Sequence, residues 1–230
     1  MLIPEHHVSW QGDRAEQLDR FQVVETGKCT LLMMADGFSD CDASPHYVDW
    51  LVGELEKLNV SGQGAGAVCL EIGALLRAKS DFPGKASVAF VVSDDWEYRY
   101  ATLGDTRIYW PSGRERTRDD SLAERCVMQG LCPPDSLRHH PLRNTLTAYA
   151  GGIKKMPVSV TWHTRPHQQA ERLLVCTDGF WSRVCDDDIY AISSGSAFLA
   201  LIKKMQVTEE SGKADNLTAA LLCYAERSGS

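Results

Sequence analysis

The sequence predicts an α+β fold in which mainly antiparallel sheets are covered by helices. Two helical patterns lie in the first half of the chain, and strand patterns occur in groups before and after them. The elements therefore come in clusters, without the strict alternation that is typical of parallel sheets. A chain of 230 residues can bury one sizeable core, so we expect a single domain over residues 1–230.

Two amphipathic helices are predicted between residues 44 and 77. Ser44 can cap the first helix and Pro45 can begin it. Its apolar residues recur at helical spacing: Val48, Leu51, Val52, Leu55 and Leu58. The second helix is expected over residues 65–77, after a Gly-rich break at 61–64. Its inward residues are Val68, Ile72, Leu75 and Leu76.

The rest of the chain is rich in strand patterns. The predicted strands cover residues 20–24, 31–35, 87–93, 96–103, 106–110, 158–163, 171–176 and 217–224. Ser121 and Glu124 have capping-box spacing, which predicts a short helix that ends near Gly130. Residues 131–155 have no clear period and predict a loop-rich segment, and a further helix is expected at 196–205.

The composition disfavours a protein that binds nucleic acid or a membrane. There are 31 acidic and 24 basic side chains, and this formal net charge of −7 opposes a sequence-independent grip on nucleic acid phosphates. The N-terminus has no basic stretch followed by an apolar run, and no apolar run is long enough to cross a bilayer. We therefore expect a cytoplasmic protein.

Two segments of the chain are near copies of one another. Each consists of an apolar strand that runs into Asp-Gly, once at Asp36-Gly37 and once at Asp178-Gly179. A carboxylate at a strand end can leave the sheet, and the following glycine lets a backbone carbonyl come close. Such oxygens suit a hard cation such as Mg²⁺ or Mn²⁺. A single Asp-Gly is also a common turn, so either copy alone allows a purely structural interpretation.

Three further aspartates fit the same interpretation. Asp19 begins a strand-like run, Asp105 follows the strand pattern that ends at Leu103, and Asp215 lies directly before the last predicted strand. Clustered buried carboxylates without cations repel one another and become protonated. Convergence of these aspartates would therefore imply bound metal.

Several short motifs, taken in order and at their separations, resemble the metal-dependent protein phosphatases, the PPM or type 2C Ser/Thr phosphatases, in their compact bacterial form. The matching motifs are Gly12-x-Arg14 with Asp19 downstream, Ala35-Asp36-Gly37, Gly84-Lys-Ala-Ser87, Leu103-Gly104-Asp105-Thr106-Arg107-Ile108-Tyr109, Thr117-Arg118-Asp119-Asp120-Ser121, Thr177-Asp178-Gly179 and Asp215-Asn216-Leu217-Thr218. Each motif is short, but the ordered set extends over nearly the whole chain.

The resemblance implies a four-layer α/β/β/α sandwich of two mainly antiparallel sheets flanked by helices, with a metal cluster at one end. It implies that Asp36 bridges two ions, Mn²⁺ or Mg²⁺, and that the carbonyl of Gly37 binds one of them. Asp178 and Asp215 would complete the coordination of the other ion, and Asp105 matches the ligand of a third ion that is bound more weakly.

The activity implied by the resemblance is hydrolysis of phosphoserine and phosphothreonine in proteins by a metal-bridged water. Asp19 would act near the metals through a bound water, together with Asp36 and Asp178. Arg14 matches the phosphate-binding arginine, whose planar fork suits a phosphate, although an arginine beside several acids can also make only surface ion pairs. Phosphorylated proteins, and a Ser/Thr kinase or its targets, would be the partners. Residues 120–155 correspond to a variable flap over the site.

The chain departs from the family pattern at two places. Leu18 stands before Asp19 where the family usually has Glu or Gln, and an apolar side chain cannot bind a cation. After Gly37 the chain continues as Phe38-Ser39-Asp40, so no histidine occupies the position that has been proposed as a proton donor in some family members. The histidines that could substitute are His46, His139 and His140.

Two other functions stay open at this point. A family member that has lost turnover and binds phosphoprotein as a regulator would explain both departures, whereas the retained Asp36, Asp178 and Asp215 favour the enzyme. A metal-dependent nuclease or phosphodiesterase is compatible with two-metal chemistry in general. The acidic balance and the absence of a Lys/Arg stripe disfavour it.

Overall fold

The computed structural model describes residues 1–25, 27–38, 45–58, 62–78, 80, 82–151, 159–207 and 214–226. Its strands are β1 (Leu2–Trp10), β2 (Asp19–Glu25), β3 (Thr30–Phe38), β4 (Lys85–Ser93), β5 (Glu97–Leu103), β6 (Arg107–Trp110), β7 (Glu115–Arg116), β8 (Ala150–Gly151), β9 (His163–Pro166), β10 (Arg172–Cys176) and β11 (Leu217–Tyr224). Its helices are α1 (His46–Lys57), α2 (Ala65–Arg77), α3 (Leu122–Met128), α4 (Asp178–Trp181), α5 (Asp186–Tyr190) and α6 (Gly195–Val207), with 3₁₀ turns at Pro111–Gly113 and Pro134–His139. Each helix among these residues is too short or too polar to traverse a bilayer.

The strands form two sheets. The first sheet has the order β1-β11-β10-β6-β7, and the second has the order β2-β3-β4-β5-β9 with β8 paired to β4. The pairings between the described strands are all antiparallel. The last strand, β11, therefore lies inside the first sheet, between β1 and β10.

Apolar residues on both faces of the central strands hold the layers together. In β3, Leu32 and Met34 belong to the core between the two sheets. Their neighbours in the same strand pack against α1 and α2: Leu31, Met33 and Ala35. A strand covered on both faces favours apolar side chains at successive positions, which explains the continuous apolar run from Leu31 to Ala35.

The outer layers complete a four-layer α/β/β/α sandwich, as expected. Helices α1 and α2 cover the second sheet. The first sheet is covered by α4, α5 and α6, whose buried residues are Phe180, Trp181, Ile189, Phe198, Ile202 and Met205. The core between the sheets draws on both of them, with Leu2, Ile108, Leu173, Ala220 and Leu222 from the first and Leu32, Ala89 and Tyr98 from the second.

Most of the predicted elements are confirmed. Helix α2 has the predicted bounds. Helix α1 is also present, but Pro45 is its N-cap residue and not its first residue, and the predicted cap Ser44 lies outside the described residues. The hydroxyl of Ser121 accepts a hydrogen bond from the backbone N–H of Glu124 at 3.2 Å, as the capping-box spacing predicts. The Glu124 carboxylate instead accepts from Arg116 Nη2 at 3.0 Å.

The strand prediction fails at two edges of the sheets. The strand expected at residues 158–163 is wrong, because β9 covers His163–Pro166 and residue 158 lies outside the described part of the chain. The sequence patterns do not predict β1, an edge strand whose register shifts between Pro4 and His6. Edge strands tolerate proline and irregular pairing, so they have no clear period. The short helices α4 and α5 are not predicted either.

A buried ion pair connects β6 to the segment before α3. Arg107 Nε and Nη2 donate to the two carboxylate oxygens of Asp119, each at 2.7 Å. The two side chains are 3% and 1% exposed, and the guanidinium lies 3.5 Å from the centroid of the Trp181 ring. Because both charges are removed from water, each depends on the other for compensation.

We expect Asp119→Ala to lower the free energy of unfolding by about 3–5 kcal/mol, because it leaves the Arg107 guanidinium buried and uncompensated. The matched control is Asp187→Ala, since Asp187 pairs with Arg114 at an exposed position where ion pairs contribute little. Urea unfolding followed by tryptophan fluorescence measures both. Equal losses in the two variants would contradict the assignment of the buried pair as structural.

Candidate active site

A cleft of about 520 Å³ opens where strands of both sheets end. Its lining includes six of the seven predicted site residues: Arg14, Asp36, Gly37, Asp105, Asp178 and Asp215. The seventh, Asp19, is 2% exposed and lies opposite Asp36 in the pairing of β2 with β3. The structure thus brings together side chains that are up to 201 residues apart in the sequence.

The aspartates raise one another's pKa values. The pKa of Asp36 lies well above its ordinary value, first because of burial and then because of the negative charges of Asp19, Asp178, Asp105 and Asp215. Burial also raises the pKa of Asp178, with a further increase from Asp215. Burial and repulsion therefore act together on the aspartates at the cleft, while Arg143 and a hydrogen bond with Asp36 lower the pKa of Asp178.

Asp19 is a buried carboxylate with one oxygen unsatisfied. Its Oδ2 accepts a hydrogen bond from the Thr177 hydroxyl at 2.9 Å, whereas its Oδ1 is buried and has no partner among the described residues. The pKa of Asp19 is raised to about 7, mainly by burial and to a lesser extent by the charges of Asp178 and Asp215, while the hydroxyls of Thr177 and Thr218 oppose the shift. The cost of such an unpaired buried oxygen falls if a positive charge or a proton donor is nearby.

The two Asp-Gly copies differ in local structure. Asp36 lies inside β3, which continues to Phe38, so the expected position at the end of the strand is wrong. Asp178 instead begins α4 directly after β10, where Thr177 is the N-cap residue. In both copies the carboxylate nevertheless reaches the cleft.

The glycine after each aspartate is required by a close approach of distant backbone. A Cβ on Gly37 would lie 2.9 Å from Val48 Cγ1 and 3.0 Å from the carbonyl oxygen of Leu18. A Cβ on Gly179 would lie 1.8 Å from the carbonyl oxygen of Asn216. Gly179 thus lets the start of β11, and with it Asp215, pack directly beside α4.

Arg14 and Asp215 form a bidentate ion pair at the rim of the cleft. Arg14 Nε and Nη2 donate to the two oxygens of Asp215 at 2.7 and 2.8 Å. The hydrogen bonds and the charge of Asp215 raise the pKa of Arg14. Gly12 explains the Gly12-x-Arg14 motif, since its φ is +62° and a Cβ there would lie 2.5 Å from the carbonyl oxygen of Asp215.

Arg143 is a site residue that the sequence patterns do not indicate. Its Nη1 donates to Asp178 Oδ2 at 3.1 Å, and this arginine opposes the rise in the pKa of Asp178. It lies in the segment at 120–155 that was expected to be a flap, of which residues 152–155 lie outside the described part. An arginine in a stretch without period carries no signal that would single it out.

Asp105 is held by the residue that ends another of the motifs. Ser87 Oγ accepts hydrogen bonds from the backbone N–H groups of Asp105 at 2.8 Å and of Thr106 at 2.6 Å. Burial raises the pKa of Asp105 well above its ordinary value, and Asp178 and Asp119 raise it further. The Gly84-Lys-Ala-Ser87 motif therefore supports the turn that presents Asp105.

Asn216 fixes the segment that contains Arg14. Its Nδ2 donates to the carbonyl oxygens of Gln11 at 2.7 Å and Glu16 at 3.0 Å, and its Oδ1 accepts from the N–H of Leu18 at 2.8 Å. The sequence motif that includes Asn216 gives no hint of this function. The side chain joins the start of β11 to the loop between β1 and β2.

Both departures from the family pattern face the cleft. Leu18 is 9% exposed and lines it, so an apolar group stands where a carboxylate or amide is usual. Phe38 also lines it and packs edge-on against Tyr149. Ser39 and Asp40 lie outside the described residues. Among the described residues that line the cleft there is no histidine, and His139 lies in a neighbouring groove.

The donor set fits divalent cations by its chemistry. It offers carboxylates that repel one another and an unsatisfied buried oxygen on Asp19. As they stand, however, no three Asp, Glu, His or Cys side chains of the described chain lie close enough together to share one ion. Asp178 and Asp215 are turned toward Arg143 and Arg14, which supply the opposite charge in this arrangement.

Comparison with known proteins identifies the fold. No family model and no curated protein matches the chain. Solved structures match it almost end to end. A serine/threonine phosphatase of S. agalactiae has a TM-score of 0.81 at 19% identity, covering 98% of this chain and 100% of that one. Serine/threonine phosphatase Stp1 from Staphylococcus aureus has a TM-score of 0.75 at 20% identity, covering 97% and 96%.

One of the similar structures holds metal. The catalytic domain of the serine/threonine phosphatase PstP, in complex with 2 manganese ions, has a TM-score of 0.70 at 19% identity and covers 97% of this chain and 99% of that one. At these identities the likeness shows the fold. The fold is that of bacterial PPM-type Ser/Thr phosphatases, in agreement with the resemblance in the sequence.

We expect Gly179→Ala to lower the free energy of unfolding by about 1–3 kcal/mol, because its Cβ would overlap the Asn216 carbonyl and force β11 to move. Gly53→Ala in α1 is the control. An added Cβ meets nothing there within 4 Å, so this variant should be neutral or more stable by up to about 1 kcal/mol. Urea unfolding distinguishes the two, and similar effects in both variants would refute the close approach.

The metal-free protein should lose stability as the pH rises from about 4 to about 7. The pKa values of Asp36, Asp178 and Asp105 are raised and that of Asp19 is raised to about 7, so the folded state retains protons that the unfolded state releases. Asp36→Asn should flatten this dependence and raise the melting temperature at pH 7.5 in chelator. Asp135→Asn, at an exposed position, is the control and should do neither.

The same melting experiment tests metal binding without an activity readout. Added Mn²⁺ at pH 7.5 should raise the melting temperature of the wild type and of Asp135→Asn. The increase should be much smaller for Asp36→Asn. A wild-type melting temperature that is independent of both pH and Mn²⁺ would contradict the carboxylate cluster described above.

Proposed function

We propose that this protein removes phosphate from phosphoserine or phosphothreonine in proteins with the help of divalent metal ions. The observation that supports it is that Asp36, Asp105, Asp178 and Asp215 line one cleft, in a fold that solved Ser/Thr phosphatases share. The proposal includes a phosphoprotein as substrate, a Ser/Thr kinase or its targets as partners, and a cytoplasmic setting.

Asp36, the carbonyl of Gly37, Asp178 and Asp215 are the proposed ligands of two Mn²⁺ or Mg²⁺ ions, and Asp105 is the proposed ligand of a third. Bound there, such ions lower the pKa of a coordinated water and neutralise charge on phosphoryl oxygens. Asp178 and Asp215 are held by arginines in the structure, so ligation would release them from Arg143 and Arg14. Two guanidinium groups beside the cleft would then be available to a substrate anion.

The side chains of the protein have distinct proposed tasks. Arg14, at the rim, offers a planar fork that binds and orients the phosphoryl group of the substrate. Asp19 acts beside the metals through a bound water that donates a hydrogen bond to its unsatisfied Oδ1, while Thr177 fixes its other oxygen. Leu18 and Phe38 present apolar surface to the cleft and displace water from it.

A second candidate function is a module that binds phosphoprotein without turnover. Two observations favour it: the apolar Leu18 at the cleft, and the pairing of Asp178 and Asp215 with arginines. In that case the arginines would keep the carboxylates compensated, and metal would not be needed. The two functions differ in whether a bound phosphopeptide releases phosphate.

The test is phosphate release from a phosphothreonine peptide and from an aryl phosphate, with Mn²⁺ and with chelator. We expect activity that chelator abolishes, and losses of more than about 100-fold in Asp36→Asn and Asp178→Asn, because even residues behind metal ligands are worth about 10–100-fold. Asp135→Asn is the control and should keep the wild-type rate, because Asp135 is exposed and does not line the cleft.

Three outcomes would change the conclusion. Chelator-resistant activity, or none with added Mn²⁺, would contradict the proposed enzyme. Stoichiometric binding of the phosphopeptide in calorimetry without phosphate release would support the binding module. Faster hydrolysis of a bis-aryl phosphate than of the monoester would indicate a phosphodiesterase.

A further inference from the structure

A second concavity, of about 700 Å³, adjoins the cleft. We call it the arginine groove, and its ionisable lining residues are Arg14, Arg138, His139, Arg143, Arg183 and Asp215. The groove shares Arg14, Asn144 and Asp215 with the cleft. A molecule that extends out of the cleft on this side therefore enters the groove directly.

The groove is basic although the chain as a whole is acidic. Four arginines and one histidine line it, and Asp215 is the sole carboxylate among the described lining residues, whereas the chain has a formal net charge of −7. The basic residues come from the loop between β1 and β2, from the 3₁₀ turn Pro134–His139 and the loop after it, and from the segment after α4. Three separate parts of the sequence thus contribute positive charge to one surface.

The arginines of the groove divide into two groups. Arg14 and Arg143 reach toward the cleft, where they pair with Asp215 and Asp178. Arg138 is half-buried and makes no hydrogen bond or ion pair within the described parts of the chain. Arg138 and Arg183 line the groove and not the cleft, so their charges have no task in the reaction itself, and Arg138 also borders a third hollow.

We propose that the arginine groove binds a second anionic group of the substrate, so that the protein prefers phosphopeptides with an acidic or a second phosphorylated residue near the target. This inference rests on the proposed function, which places the target phosphate in the cleft. A guanidinium fork matches the oxygens of a carboxylate and of a phosphate alike. The described lining has no Phe, Tyr or Trp on which bases could stack, which disfavours single-stranded nucleic acid.

The experiment compares three peptides with the same phosphothreonine: one with neutral flanking residues, one with flanking aspartates and one with a second phosphothreonine. KM and kcat are measured with Mn²⁺, and fluorescence anisotropy gives the binding of each labelled peptide to chelator-treated protein. We expect the two more acidic peptides to show a KM lower by about five-fold, an advantage that shrinks as salt is raised.

Arg138→Ala and Arg183→Ala should remove most of this advantage and leave kcat and the hydrolysis of a small aryl phosphate unchanged. Arg138→Lys should restore part of it, because it keeps the charge but not the fork. Arg77→Ala, at an exposed position on α2 on the other side of the sandwich, is the matched control and should keep the full preference.

The outcomes separate this inference from the proposed function. If no peptide loses phosphate, the proposed function fails, and anisotropy still decides whether acidic peptides bind more tightly through Arg138. Equal binding and equal KM for all three peptides would overturn the proposed role of the arginine groove. So would a preference for acidic peptides that Arg77→Ala reduces as much as Arg138→Ala does. A gain with the second phosphate alone would support the groove as a phosphate site, and a gain with both peptides would support a general acidic preference.

Discussion

The mutual repulsion of carboxylates governs the end of the sandwich that holds the cleft. Asp36 stands opposite Asp19 on the neighbouring strand, and Asp178 and Asp105 meet them from strand ends in the two sheets. Burial makes each negative charge more costly, since water no longer screens it. Three features reduce this repulsion: arginines pair with Asp215 and Asp178, the Thr177 hydroxyl donates to Asp19, and the raised pKa values favour protonated carboxyl groups. Each of these is a partial substitute for a positive charge at the centre.

This constraint also connects the two candidate functions. A carboxylate that pairs with an arginine and a carboxylate that binds a cation satisfy the same electrostatic demand in two ways. Arg14 and Arg143 therefore have a place in either state of the site, next to Asp215 and Asp178 or free to contact a substrate anion. Which state prevails depends on the cation concentration relative to the apparent dissociation constant of the site, which the ion pairs increase.

Most of the strands and two of the aspartates in the cleft could be predicted from the sequence for one common reason, whereas the four layers were implied by the family resemblance. Strands buried on both faces must be apolar throughout, so a carboxylate at the end of such a run, as in Asp36 and Asp178, stands out. The local structure around the two copies could not be predicted, because it depends on what packs against each glycine. For Gly37 the neighbour is the Leu18 carbonyl, and for Gly179 it is the Asn216 carbonyl.

Residues of the irregular loops escaped prediction for the opposite reason. Arg143 acts on a partner 35 positions away, and Asn216 fixes a loop about 200 positions earlier. Neither lies in a periodic segment, so nothing in the local pattern indicates where its side chain points. Edge strands β1 and β9 share this property, because one open side removes the demand for a regular apolar pattern.

The position of β11 inside the first sheet has a consequence for how the protein matures. Asp215 immediately precedes this strand. Within the strand, the backbone N–H of Thr218 donates to the hydroxyl of Thr177, and that hydroxyl donates to Asp19. During synthesis the N-terminal strand β1 has no hydrogen-bonding neighbour in its sheet until β11 leaves the ribosome. In the described chain the acidic centre is complete only once β11 has paired with β1 and β10, so folding at this end of the sandwich depends on contacts between segments that are far apart in the sequence.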